Sequence, residues 1–253
     1  MINARATSVA LGGNVPVLMY HDLVRSASEV TSIAITQQLF ESHLDTLKQA
    51  GWTTLPLRDL YERPEKANRR ERCVWITFDD GYTSFVEMAL PALLARNMTA
   101  TLFVVAGAIG EYNLWDITQD LPRRALLDYV DLRACLEAGI EIGSHGWAHR
   151  DLKVCSADEI YEEIFRSRYE LQSQLASEIR GFAYPYGTYS STFFPKLANA
   201  GYAIALSTTS AEPTVLRNPY AVRRIGIRQA DTTMRLRFKL SRLYLDFRGW
   251  RRR

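Results

Sequence analysis

Cysteine is scarce in this chain of 253 residues, which has only Cys73, Cys135 and Cys155. Their number is odd, and no two of them have the spacing of a metal-binding pair, so the sequence predicts no disulfide framework. Cys73 lies in an apolar run and is expected in the core. This cysteine usage fits a reducing compartment, and we expect a cytoplasmic protein.

Long hydrophobic runs are absent as well. No segment reaches the roughly 20 apolar residues that a transmembrane helix needs. Residues 1–14 have one arginine but no apolar core of signal-peptide length, so export by that route is not expected. There is also no internal repeat and no low-complexity segment. The 47% of hydrophobic residues can fill the core of a single large domain.

A strong charge excess is missing too, since the net charge is only +3. The basic residues are nevertheless concentrated in 234–253, where they alternate with leucines and aromatic residues. Such a segment can lie on an anionic membrane surface, here the inner membrane face. The alternative is a C-terminal helix that packs on the domain and ends in a solvated arginine run. Nucleic-acid binding is not expected, because no recognition motif accompanies the charge.

Short apolar runs rich in β-branched and aromatic residues alternate with helical patterns. The predicted strands are 15–20, 73–78, 99–105, 140–143, 181–184, 203–206 and 222–227. The predicted helices are 36–50, 83–96, 128–138, 156–177 and 190–200, and Ser156 with Glu159 forms a capping box for the longest of them. This alternation predicts an α/β fold with a largely parallel sheet or barrel.

Two carboxylates follow the predicted strand 73–78, in the sequence TFDDGY of residues 77–82. The carboxyl ends of parallel strands are where α/β folds place their chemistry. Adjacent strand residues point to opposite sides, so Asp79 and Asp80 are expected to do different jobs: one can bind a metal while the other takes a proton. Taken alone, such a pair is more often ordinary turn chemistry.

The chain has four histidines, and two of them follow the predicted strand 140–143. His145 and His149 are four residues apart, a spacing that on a helical turn brings both imidazoles to one face. Together with one carboxylate they would form a three-ligand set with an open position, as in catalytic zinc sites. His43, within the amphipathic segment 36–50, is expected on the solvated face of a helix.

Three segments occur in the order and spacing of a known family: residues 77–81, residues 144–149 (SHGWAH) and residues 182–187 (FAYPYG). They resemble the first three motifs of the polysaccharide deacetylases, the NodB-type domain of carbohydrate esterase family four. The similarity covers about residues 15–227. It implies a distorted (β/α) barrel, usually of seven strands, and a metal-dependent hydrolase that removes N-acetyl groups from amino sugars.

The resemblance also implies a role for each motif residue. Asp79 would be the general base, while Asp80, His145 and His149 would hold a divalent metal, usually zinc, with cobalt, nickel or manganese as alternatives. Tyr186 would supply a backbone N–H to the oxyanion and an aromatic wall to the sugar site.

Two departures from the family pattern concern the base and the acid. Family members often have an arginine ahead of the Pro-Tyr pair that orients the base, and residues 182–184 supply none. Arg224, at the end of the last predicted strand, is the candidate replacement; the alternative is a plain surface arginine. The late Leu-His motif that donates the general acid is also missing, because no histidine follows His149.

His21 is the predicted acid, since it ends the apolar strand in residues 17–22 (VLMYHD). This resembles the biofilm exopolysaccharide deacetylases that act on poly-N-acetylglucosamine, in which the motif order is permuted and the acid comes from the first strand. An imidazole near its ordinary pKa of about 6.5 suits proton donation to the leaving amine. Asp22 would orient or charge-stabilise His21. The alternative is a strand-end histidine bonded to a neighbouring loop.

The resemblance implies a glycan as the substrate, and a membrane-seeking tail on such an enzyme favours a lipid-linked amino sugar. We divide the chain into an N-terminal extension (1–14), a deacetylase catalytic domain (15–230) and a basic amphipathic tail (231–253). Removal of a formyl group from a lipid-linked amino sugar and a glycan-binding pseudoenzyme stay open as alternatives. The long loop 107–124, which contains Trp115, is expected either to stack on sugar rings or to form a packed lid.

Overall fold

The computed structural model describes residues 16–62, 72–119, 121–209, 218–241 and 243–245. The strands are β1 (Val17–Tyr20), β2 (Asp22–Val24), β3 (Ala34–Thr36), β4 (Thr53–Thr54), β5 (Cys73–Phe78), β6 (Thr101–Val104), β7 (Glu141–Ser144), β8 (Gly181–Ala183), β9 (Ile204–Ser207), β10 (Val222–Arg223) and β11 (Ile225–Gly226). The helices are α1 (Gln37–Gln49), α2 (Arg58–Glu62), α3 (Leu90–Leu94), α4 (Tyr129–Glu137), α5 (Ala157–Tyr161), α6 (Ser167–Leu175), α7 (Phe194–Ala200) and α8 (Thr233–Lys239).

Two of the predicted helices contain a π-helical turn. Phe85–Ala89 is a π-helical turn ahead of α3, and Glu162–Arg166 is another that joins α5 to α6. The capping box predicted at Ser156 is confirmed, because its side chain accepts from the Glu159 N–H and the Glu159 carboxylate accepts from the Ser156 N–H. π-helical turns of this kind often occur at functional sites.

The main sheet is parallel and almost closes into a barrel. Its path runs β10-β9-β8-β7-β6-β5-β1-β11, with β4 paired to β5 beside it. The strands at the two ends of the path, β10 and β11, are separated in sequence by Arg224 alone. The predicted (β/α) barrel is therefore confirmed, but the path has eight strands where seven were expected, because the predicted strand 222–227 is broken at Arg224.

Both faces of the sheet are buried, as in other parallel folds. Neighbouring residues of a strand belong to different apolar clusters: Val17 and Trp75 to the smaller one, Leu18 and Ile76 to the larger one. The smaller cluster collects side chains from β1, β5, β6, β8, β9 and β10, so it fills the barrel. Cys73 belongs to it and is buried, as predicted.

The environment of His43 contradicts its predicted solvated position. It is fully buried on α1, and it falls on the same apolar stripe as Phe40, Leu44 and Leu47. Its Nε2 lies 2.5 Å from the Asp231 carbonyl oxygen, so Nε2 donates, and the Tyr20 hydroxyl lies 3.2 Å from Nδ1. A polar residue occupies this core position because both ring nitrogens have partners.

The C-terminal segment packs on the barrel in part. Leu236, Leu240 and Leu245 are buried, whereas Met234 and Phe238 are exposed. Residues 242 and 246–253 of the predicted tail and the predicted extension 1–14 lie outside the described residues. In the described part of the chain, no helix combines the length and the apolar character needed to cross a membrane.

Candidate active site

Three of the predicted ligands lie together at the carboxyl rim of the barrel. Asp80 follows β5, and His145 and His149 follow β7. One ligating atom from each of the three lies within 4.8 Å of the other two, and all three side chains are buried. The Nε2 atoms of His145 and His149 lie 3.5 and 3.4 Å from Asp80 Oδ1.

The imidazole of His145 is fixed in the tautomer that a metal ligand needs. Its Nδ1 lies 2.7 Å from the carbonyl oxygen of Ala183, which can only accept, so Nδ1 carries the hydrogen and Nε2 presents its lone pair towards Asp80. Burial lowers the pKa of both His145 and His149, so both rings are neutral at neutral pH. Neutral imidazoles are the form that binds a metal.

The segment between the two histidines is an irregular loop, so the helical turn expected for them is wrong. Gly146 has φ +85° and His149 has φ +57°. The loop is shaped by Glu163, a fully buried carboxylate on the π-helical turn, which accepts from the N–H groups of Trp147 and Ala148 at 2.9 Å each. A Cβ on Gly146 would lie 2.1 Å from Glu163 Oε2, so this close approach requires glycine.

The residues fit a divalent cation. Asp80 Oδ1 is buried and has no hydrogen-bond partner among the described residues. Burial raises the pKa of Asp80 well above its ordinary value, and the charges of Asp79 and Asp116 raise it further. A buried carboxylate oxygen without a donor, facing the Nε2 atoms of two neutral imidazoles, is part of a donor set that a cation would satisfy.

Asp79 is held by Arg224 at the break between β10 and β11. The guanidinium donates from Nη1 to Oδ1 at 2.5 Å and from Nη2 to Oδ2 at 2.7 Å, with both side chains buried. Burial by itself would raise the pKa of Asp79, but Arg224, with His145, outweighs it and holds the pKa at about 2. Asp79 is thus ionised at neutral pH and accepts two hydrogen bonds from the Arg224 guanidinium, while its neighbour Asp80 faces the histidines. The alternative of a plain surface arginine for Arg224 is wrong.

His21 follows β1 and lies beside Asp79. Its Nε2 is 4.0 Å from Asp79 Oδ2, and its side chain is 18% exposed, so a group in the cleft can reach it. Burial lowers the pKa of His21 to about 4; Asp79 opposes this shift and Arg224 reinforces it. The expected pKa near 6.5 is therefore wrong, and the resting imidazole is neutral at neutral pH.

Asp22 does not contact His21, contrary to the expectation that it orients this ring. Its Oδ1 accepts from the Ser84 hydroxyl at 2.6 Å, and its Oδ2 lies 3.4 Å from Arg124 Nε. Adjacent strand residues point to opposite sides, which sends Asp22 away from the cleft when His21 faces it.

Two aromatic rings cover His149. Trp115 stacks on the imidazole with centroids 4.8 Å apart, and Tyr186 meets it edge-on at the same distance. Trp115 belongs to the long loop 107–124, which is therefore packed against the candidate ligand at this point. Tyr186 has φ +58° and is 48% exposed, so its ring also borders the cavity of about 640 Å³ that contains the site.

Comparison with known proteins assigns the family. A model of the polysaccharide deacetylase family matches residues 66–205, which is more than half of the chain. The chain belongs to the polysaccharide deacetylase family.

Three similar proteins show how this chain relates to known deacetylases. The chain is 26% identical over 211 residues to the poly-β-1,6-N-acetyl-D-glucosamine N-deacetylase of Staphylococcus aureus, covering 80% of this chain and 70% of that one. The Streptococcus pyogenes deacetylase PplD, solved in complex with acetate, is 25% identical with a TM-score of 0.77 and covers 90% of this chain and 98% of its own. IcaB from Ammonifex degensii shares the fold, with 22% identity, a TM-score of 0.75 and coverage of 90% and 97%.

All seven sequence-predicted site residues thus line one cavity in this family member: His21, Asp79, Asp80, His145, His149, Tyr186 and Arg224. Their chemical roles stay predictions. Sequence reasoning missed Glu163, which looks like an ordinary helix residue in the chain. It also missed Asp116, which accepts from the Tyr82 hydroxyl at 2.6 Å and lines the same cavity.

Proposed function

We propose that this protein is a metal-dependent hydrolase that removes N-acetyl groups from amino sugars of a polysaccharide or lipid-linked glycan. One observation carries the proposal: Asp79, which is not among the three clustered ligands, lies between that cluster and His21. Its Oδ2 is 3.7 Å from His145 Nε2 and 4.0 Å from His21 Nε2. This is the arrangement that an amide hydrolysis with a separate base and acid needs.

A divalent ion, most simply zinc, held by Asp80, His145 and His149 would supply Lewis-acid polarisation of the acyl carbonyl and a more acidic water. Asp79 accepts the proton of the attacking water, and Arg224 keeps this carboxylate ionised and aligned. The backbone N–H of Tyr186 donates to the developing oxyanion. Its ring supports the sugar.

His21 donates a proton to the leaving nitrogen, since amines leave poorly unless they are protonated. Because the resting imidazole is neutral, it must first receive this proton. Asp79 is the neighbouring source, since its Oδ2 lies 4.0 Å from His21 Nε2, and Arg224 favours its return to the ionised form once it has taken the water proton. The resulting imidazolium is a strong acid. The water proton taken by Asp79 thereby reaches the amine, and the acyl group leaves as acetic acid.

The same protein would act at the cytoplasmic face of a membrane, where it meets its glycan substrate. Exposed Met234 and Phe238 beside Arg235 and Arg237 support a peripheral contact with anionic lipid. Flotation with phosphatidylglycerol vesicles is expected to carry the protein upward. Unchanged flotation of Met234→Ser/Phe238→Ser would contradict this placement.

Acyl release from a panel of substrates tests the proposed function. Zinc-loaded protein is incubated with N-acetylglucosamine oligomers and with acetamido sugars linked to polyprenyl diphosphate, and acetate and formate are measured. Acetate release is expected. Formate release from N-formyl analogues alone would instead make the protein a deformylase, and no acyl release from any of them would make it a glycan-binding protein.

A further inference from the structure

The cleft extends beyond the groups used in hydrolysis, onto the segment that follows β11. The cavity that contains Asp79 and His145 is also lined by Arg228, Asp231 and Arg235. None of these three belongs to the motifs of the family resemblance, and the chemistry above gives none of them a task.

The register of the sheet places Arg228 beside His21. Met19 of β1 pairs with Gly226 of β11, and the Ile227 N–H donates to the Met19 carbonyl at 2.9 Å. Two residues beyond this pair, the segment that follows β1 reaches His21 and the segment that follows β11 reaches Arg228. The sheet path in this region is β7-β6-β5-β1-β11. Along the rim, the histidine ligands therefore come first, after β7, followed by Asp79 after β5, His21 after β1 and Arg228 after β11.

This order determines which part of the substrate meets the arginines. Cleavage of an amide by the proposed reaction leaves the acyl group at the ligand cluster and the amine at His21. The amine carries the sugar, so groups attached to the sugar lie on the His21 side of the cleft. Arg228 and Arg235 therefore face substituents of the sugar rather than the acyl group.

Charge on this side of the cleft is unbalanced. Asp231 Oδ2 accepts from Lys239 Nζ at 2.7 Å, so these two charges neutralise each other. Arg235 Nη1 donates to the Ala230 carbonyl at 3.1 Å, which positions its guanidinium without neutralising it. In the part of the chain that the structure describes, neither Arg228 nor Arg235 has a carboxylate within ion-pair distance.

The segment that carries these arginines is fixed by hydrogen bonds to buried and half-buried groups. The Asp231 carbonyl accepts from His43, and the Asp231 carboxylate accepts from the Arg228 N–H at 2.8 Å. The Gln229 side chain accepts from the Thr36 N–H at 2.9 Å. The guanidinium groups of Arg228 and Arg235 therefore extend from a backbone that is held in place, which lowers the entropic cost of binding an anion.

We propose that the amino sugar carries a phosphoryl group, which Arg228 and Arg235 bind on the His21 side of the cleft. A guanidinium binds phosphate oxygens in a bidentate manner, and one phosphoryl group has enough oxygens to accept from two guanidinium groups in this way, whereas the two oxygens of a carboxylate match only one bidentate guanidinium. The proposal rests on the proposed function, because the direction of the substrate follows from His21 as the acid.

Matched substrates test the proposal on the zinc-loaded protein. kcat/KM for acetate release is measured with N-acetylglucosamine oligomers with and without a terminal phosphate. The wild type is expected to prefer the phosphorylated oligomer, and Arg228→Gln and Arg235→Gln are each expected to reduce that preference about tenfold. Arg133→Gln is the control, since Arg133 is exposed on α4 and does not line the cavity. UDP-N-acetylglucosamine and polyprenyl-diphosphate-linked N-acetylglucosamine in micelles then distinguish a soluble from a lipid-linked source.

Equal rates for the two oligomers, or a larger preference for an oligomer that ends in a uronic acid, would overturn the inference and leave the proposed function intact. Calorimetric binding of N-acetylglucosamine 1-phosphate and N-acetylglucosamine decides the matter without turnover. Phosphate-dependent affinity that both arginine variants lose supports the inference even if no acyl group is released. Equal affinity for the two sugars, or a preference for the phosphorylated sugar that both arginine variants retain, overturns it.

Discussion

Replacing Glu163 by glutamine is expected to weaken zinc binding although Glu163 is not a ligand. The buried carboxylate accepts two backbone N–H groups of the loop between His145 and His149. Glutamine keeps one carbonyl oxygen and presents an NH₂ group to the second N–H, so one charge-assisted bond is lost. Such a bond is worth about 1.5–3 kcal/mol.

The loss converts into a measurable affinity. Since about 1.4 kcal/mol corresponds to a tenfold change, we expect the zinc Kd of Glu163→Gln to rise roughly 10- to 100-fold. This is also the usual size of the effect when a group that orients a metal ligand is removed. The assay is competition with a chromophoric chelator, with circular dichroism to verify the fold.

The control is Glu87→Gln, because Glu87 is an exposed glutamate on the other π-helical turn. It should bind zinc like the wild type. Gly146→Ala should weaken zinc binding in the same direction as Glu163→Gln, because a Cβ there collides with Glu163 Oε2. Wild-type zinc affinity in a folded Glu163→Gln protein would refute the reasoning, and Glu163 would then be only a stabilising residue.

Three further predictions concern the base, the acid and the aromatic cover. Arg224→Gln should raise the pKa of Asp79, so the pH below which zinc-saturated kcat/KM falls moves upward; an unshifted pH profile would count against the pairing. Because the pKa of His21 is about 4, wild-type kcat/KM should not fall as the pH rises through 6.5, and a fall there would reveal a resting imidazolium. Trp115→Ala should weaken zinc binding about 2- to 10-fold by removing the ring stacked on His149, whereas Trp115→Phe should keep most of the affinity; equal affinity of Trp115→Ala and wild type in the chelator assay would contradict this.

Local sequence patterns were sufficient to predict most strands and helices of the barrel. β5 spans the predicted residues 73–78, and α1 lies within the predicted 36–50, because strand and helix periodicities are set by residues close in sequence. The ligand cluster was predictable for a similar reason: its residues follow strands that the same periodicity identifies.

Contacts across the barrel were harder to predict. The Arg224–Asp79 pair joins residues 145 positions apart, and it forms because the last strand breaks where the sheet closes. No periodic pattern indicates that break. The resemblance could offer Arg224 only as a candidate.

Burial and charge also changed two expectations about histidines. His43 lies on the apolar stripe of α1, but because histidine is polar we expected it to face solvent. Its partners Tyr20 and Asp231 come from distant parts of the chain, so only the fold reveals them. The lowered pKa of His21 depends on burial at the rim, which the strand sequence does not reveal. Glu163 was missed because its effect is exerted on a loop that precedes it in the chain.

The central claim is that Asp79 is a base separate from the metal ligands. The most direct test is acetate release from N-acetylglucosamine oligomers by wild type and Asp79→Asn, each with its zinc content measured. The account predicts a loss of about 10²- to 10⁴-fold in Asp79→Asn with zinc still bound at the wild-type ratio. Acetate release at the wild-type rate by zinc-loaded Asp79→Asn would contradict it.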